Sequence, residues 1–100
     1  KGIRRVGLPQ AASIARPVSL ASRALLDLGL RTAGLTRNDY VVAVDGIAVE
    51  TEEQYGAAIG FSDDPDMQLL VRRADRKFEG VTVRDYRSHY DIVGKRKTPA

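Results

Sequence analysis

The side chains in this sequence that could do chemistry are few, and their spacing restricts them further. One histidine, His89, stands beside Ser88 with Asp85 and Asp91 close in sequence. Neighbouring residues on a strand or loop point apart, so His89 cannot activate Ser88, and nothing marks another serine as its nucleophile. A solvated histidine is the expectation. Asp63, Asp64 and Asp66 bring three carboxylates together, but the glycine and the distal bidentate glutamate of a calcium loop are absent, so no metal site is expected. No phosphate-cradling glycine loop, zinc-type helix motif or dinucleotide fingerprint occurs. The chain reads as non-catalytic, without cofactor.

Charge gives a second class to weigh. The net charge is only +3, but residues 41–70 hold no lysine or arginine, while both flanking thirds are basic. Such segregation could steer a charged partner, or could simply solvate one helix and one loop. The last third interleaves Phe78, Tyr86 and Tyr90 with cations, as single-strand nucleic-acid binders do, yet the acidic middle would repel phosphates. Nucleic acid is therefore an unlikely partner on this reading.

With 100 residues the chain is long enough for one domain with a single modest core. Cysteine is absent, so no disulfide or cysteine-metal cluster can hold it. No apolar run approaches membrane-spanning length, and no membrane insertion is expected. The abrupt ends suggest a domain excised from a larger chain. Residues 1–93 are expected to form the domain, with 94–100 as a disordered tail or linker.

The elements that must position any site are clearest in residues 33–49. Asn38 stands where a tight turn would take positive φ, and Asp39 can bond back to nearby backbone N–H groups. Residues 40–44 are almost wholly β-branched or aromatic, as a buried strand requires. Asp45-Gly46 is the dipeptide that a two-residue type I′ hairpin prefers, and residues 47–49 return as the partner strand. Here Gly34-Leu35-Thr36-Arg37-Asn38-Asp39, then Val41, Val44, Asp45-Gly46 and Val49, resemble the Gly-Leu-x-x-Gly-Asp-x-Ile-x-x-Val-Asn/Asp-Gly-x-x-Val core of PDZ domains, bacterial ones best. Asn38 replaces the usual second glycine. The resemblance covers residues 33–83 and fits residues 1–32 poorly.

It implies an α+β fold, PDZ-like: a partly open antiparallel β-barrel of five or six short strands with two helices. It also implies a module that binds the C-terminus or an extended segment of another protein by strand addition. Bacterial relatives of this kind are often attached to proteases or secretion components, so a regulatory or substrate-recognition role follows from the likeness. The compartment stays open. The competing expectation is a structural spacer whose groove is filled by its own residues.

Arg5-Val6-Gly7-Leu8 has the form of the family's carboxylate-binding loop. A glycine lets successive backbone N–H groups converge on an anion, and Arg4 or Arg5 could add charge. Pro9, which has no N–H, falls in the strand expected to pair with the ligand, so a plain loop competes with this reading. Residues 11–18 could be a strand. Leu20, Ala24, Leu25 and Leu28 then lie on one helical face, with Ser19 or Ser22 as cap and Gly29 as stop.

Thr51-Glu52-Glu53-Gln54 forms a capping box for a helix over 52–59 that stops at Gly60. In the family this helix walls the peptide groove, which would turn Glu52, Gly56 and Ile59 toward the ligand. Glu52 would then favour a basic or hydroxyl-bearing residue two places before the ligand's end. Residues 61–66 read as a loop, 67–73 and 78–83 as a closing hairpin, and 90–93 as one further short strand or an outward extension.

Overall fold

The β-branched run at 40–44 and the Asp-Gly pair after it are the structural centre of the chain. The computed structural model describes residues 4–22 and 24–89. A 3-10 helix, Leu8–Ser13, comes first, then β1 (Val18–Ser19), α1 (Leu28–Thr32), β2 (Tyr40–Val44), β3 (Ile47–Ala48), α2 (Glu52–Ile59), β4 (Met67–Arg72), β5 (Phe78–Val83) and α3 (Tyr86–His89). The five strands form one open antiparallel sheet in the order β1-β2-β4-β5, with β3 also paired to β2. The class is α+β. Among the described residues, an open sheet with three short α-helices stands where a partly open barrel with two helices was expected.

Asp45 and Gly46 both take positive φ, +49° and +82°, as a type I′ turn requires. β2 carries a bulge between Val41 and Ala43. Val42 and Ala43 consequently join one core, while Val41 and Val44 join the other. The larger core lies under the helices and gathers Leu30, Leu35, Tyr55, Ala58 and Ile59 against alternate residues of β4 and β5. The smaller core seats Val6, Ala11 and Ile14 on Val42 and Ala43, with Leu70 and Phe78 at its border. Both faces of the sheet are thus covered, one by helices and the other by the first stretch of chain.

Several turns depart from the sequence reading. Asn38 does not take positive φ. The turn is fixed by Asp39, whose Oδ2 accepts from Thr36 N at 2.9 Å and from Arg73 Nη1 at 2.6 Å. Bonding to Glu79, opposed by burial and joined by Asp39, pushes the Arg73 guanidinium above its ordinary range. The helix expected over 19–28 is displaced to Leu28–Thr32. Asp27 Oδ1 accepts from Leu30 N at 3.0 Å and so starts the helix there, while Gly34, at φ +94°, follows its end. Leu20 instead extends β1, donating its N–H to Asp39 O. Residues 8–13 coil because Pro9, which cannot donate to a ladder, is suited to the first turn of a helix. The expected strand at 90–93 and the tail at 94–100 lie outside the described residues.

α2 has its expected bounds. Thr51 Oγ1 accepts from Gln54 N at 3.0 Å, and Gln54 Oε1 accepts from Glu50 N at 2.7 Å. Its buried stripe is Tyr55, Ala58 and Ile59. Among the described residues, the Tyr55 hydroxyl finds no hydrogen-bond partner. Burial, and then the negative charge of Asp27, push its pKa well above the ordinary tyrosine value. In the unfolded chain the phenol ionises near pH 10, while in the fold it keeps its proton. The folded state therefore holds its full stability below about pH 10 and loses it as pH rises beyond. Tyr55→Phe is expected to raise stability by about 1 kcal/mol at pH 7, the gain widening above pH 10. Thermal melts of both proteins at pH 7 and pH 10.5, about half a unit above that ordinary value, check this. An equal or lower melting point for the variant at both would refute it.

Candidate functional site

The segment ahead of the 3-10 helix runs antiparallel to β3. Arg5 sits opposite Ile47, Ala48 N donates to Arg4 O at 2.7 Å, and Val6 N donates to Gly46 O at 2.7 Å. Residues 4 and 6 direct their backbone groups at β3, so the N–H and C=O of Arg5, between them, face the other way. Side chains alternate too: Val6 enters the smaller core, and Arg5 shares the helix-bearing side with Ile47. There, beyond the last turn of α2, Phe61 and Ser62 complete an open depression of about 430 Å³ lined by Arg5, Asp45, Ile47, Phe61 and Ser62. Phe61 is 57% exposed, an unusual position for a phenylalanine.

The far wall is held by a residue that sequence reasoning passed over. Arg87, only 8% exposed, sends Nε to Ile59 O at 2.7 Å and Nη1 to Asp64 O at 2.9 Å and Asp66 O at 2.8 Å. Its Nη2 meets the Asp45 carboxylate, and its backbone N–H reaches Pro65 O at 2.9 Å. The second oxygen of Asp45 accepts from Gln68 N at 3.0 Å. Alongside, the Tyr86 hydroxyl donates to Asp27 Oδ2. No composition or spacing signal separates Arg87 from the other cations near it, and it is recognisable only from its acceptors.

Of the residues expected to bind a ligand, Arg5 lines the depression. Val6 belongs to the smaller core, and its N–H is taken by Gly46. Gly7 caps the 3-10 helix, and its N–H donates to Gln10 Oε1 at 2.9 Å. The expected carboxylate loop therefore has its Val6 and Gly7 donors already engaged. Leu8 is exposed at the start of that helix. On α2, Ile59 is a core residue rather than a ligand-facing one, because Tyr55, Ala58 and Ile59 form the buried stripe. Glu52 is exposed and Gly56 half-buried, and neither lines the depression, so the selectivity expected from Glu52 has no contact behind it.

The depression brings together a cation, the Asp45 carboxylate paired with Arg87, an aromatic ring, a hydroxyl and an outward-facing strand edge. Among the described residues, no three His, Cys, Asp or Glu side chains converge as metal ligands would. No described helix is long and apolar enough to cross a membrane. The chain matches no family model, no curated protein and no solved structure.

Proposed function

We propose that this chain is a non-catalytic peptide-binding module, working in the manner of PDZ domains, that receives an extended segment or chain end of another protein. The observation behind this reading is the Arg5 edge: outward backbone groups beside a depression floored by Ile47 and flanked by Phe61. A guest strand laid along residues 4–6 would bond to the Arg5 backbone and turn alternate side chains toward Phe61 and Ile47. Arg5 would meet an acidic group or a terminal carboxylate. This edge overlaps the start of the loop, residues 5–8, that the sequence singled out. In this reading the domain serves a larger protein, such as a protease or secretion component, by recognising its substrates or regulating it.

The engaged donors of Val6 and Gly7 favour a second reading, a spacer with an occupied groove. Panning a displayed random-peptide library on the domain, then titrating the enriched peptide while following backbone amides, separates the two. Peptide binding predicts shifts at residues 4–6, 46–48 and 60–62. Phe61→Ser should weaken that peptide about tenfold, equivalent to ~1.4 kcal/mol, while changing stability by less than about 0.5 kcal/mol. No enriched peptide and no amide shift would leave the spacer.

A further inference from the structure

Besides Arg5, the depression is built from two pieces that are remote in sequence: the hairpin bearing Asp45 and Ile47, and the loop after α2 bearing Phe61 and Ser62. Within the loop, Asp64 N bonds to Ser62 Oγ at 3.1 Å and Asp66 N to Asp64 Oδ1 at 2.9 Å, which shapes the turns but fastens them to nothing else. Among the described residues, apart from Phe61 N donating to Ala58 O at 3.2 Å at the end of α2, the bonds that tie the loop to other elements come from the segment after β5. Asp85 N donates to Asp66 Oδ1 at 2.8 Å, and Arg87 reaches the carbonyls of Asp64, Pro65 and Asp66. The same guanidinium takes hold of Asp45 on the hairpin and of Ile59 O at the end of α2. The loop meets Arg87 through its main-chain carbonyls, and the carboxylate that pairs with this cation is Asp45 on the hairpin.

We propose that Arg87 is the positioning residue of the depression, and that α3 acts through it as a latch. The ligand site is assembled only while the segment after β5 is docked. This rests on the peptide-binding reading for what the site holds, but the latch itself is a statement about the unliganded protein. A guanidinium is suited to it because its planar fork presents fixed donors in several directions at once, whereas an ammonium concentrates three donors at one point. Charge alone would not hold the hairpin and the loop at a set separation. Coupling arises because the two walls share one partner: release of α3 frees both, and a guest that needs both walls favours the docked state.

The test compares wild type with Arg87→Lys, which keeps the charge and loses the fork, and with Asp45→Asn, which keeps the carbonyl contacts and weakens one. The first readout is amide hydrogen exchange without ligand. Residues 60–66 should exchange about tenfold faster or more in Arg87→Lys, and less so in Asp45→Asn, while the central amides of β4 keep their protection. The second is the affinity of Arg87→Lys for the peptide enriched on wild type, expected to fall about tenfold or more although Arg87 itself is buried. Unchanged exchange over 60–66 in both variants overturns the latch, as does raised exchange with unchanged peptide affinity. If Arg87→Lys does not fold, Asp45→Asn decides by exchange. If wild type enriches no peptide, the peptide reading falls by itself, and exchange alone supports or overturns the latch.

Discussion

Leu30→Ala is expected to lower the stability of the domain by about 3–5 kcal/mol, at the upper end of the range for a buried leucine. α1 has five residues, far below the length at which a helix persists by its own hydrogen bonds, so tertiary contacts must hold it. Those contacts converge on Leu30, which is fully buried, whereas Leu28 on the same helix is 52% exposed. Truncating Leu30 opens a cavity in the larger core between the helix and the sheet, and also removes the anchor of α1. Urea unfolding should show a large fall in midpoint for Leu30→Ala. Leu28→Ala should move the free energy by less than about 0.5 kcal/mol. Comparable losses at the two positions would mean that α1 is not seated as described.

Asp27→Ala carries the second large expectation, a loss of about 2–4 kcal/mol, because one carboxylate performs two tasks. Oδ1 caps α1 through Leu30 N, a contribution of roughly 1 kcal/mol. Oδ2 accepts the hydrogen bond of the buried Tyr86 hydroxyl, so removing the acid takes away a charge-assisted bond, at a further cost of about 1–3 kcal/mol. Asp27→Asn preserves the cap and weakens the charge-assisted bond, and should lose about half as much. A double-mutant cycle with Tyr86→Phe isolates the pair. A coupling energy indistinguishable from zero would show that Tyr86 is held by its ring packing rather than by Asp27.

The parts of the fold legible in the sequence were those whose cause is local. β2 and β3 follow from five β-branched or aromatic residues and an Asp-Gly turn, and α2 from a capping box that Thr51 and Gln54 form as expected. β4 and β5 follow from a polar turn between apolar runs, in which Arg76 takes positive φ. The misplaced helix shows where periodicity misleads: Leu20, Ala24, Leu25 and Leu28 have helical spacing, but Leu20 is used by the strand and Leu28 faces outward. Asp27 was the available signal, an N-cap residue three positions before the N–H that it binds. Of the candidate depression, part was legible. Arg5 could be picked from the sequence, whereas Phe61 looked like a turn residue and Arg87 like one more cation in a charged stretch. Their places in the candidate site follow from the fold, which sets Phe61 in one lining with Asp45 and Ile47 and Arg87 against Asp45 and Ile59, and no spacing rule brings these together.

The surplus residue in β2 has a wider effect than its own unpaired position. Tyr40 and Val41 align with β1, whereas Ala43 and Val44 align with β3, so the strand changes neighbours where the bulge lies. A straight five-residue ribbon would present one continuous flank, but added twist lets this one act as a corner piece, serving two short companions that point along different lines. A small chain can in this way wrap its sheet without spending residues on a further strand. Because Arg5 pairs with β3 and β3 with β2, that corner also fixes where the Arg5 edge lies, several residues away.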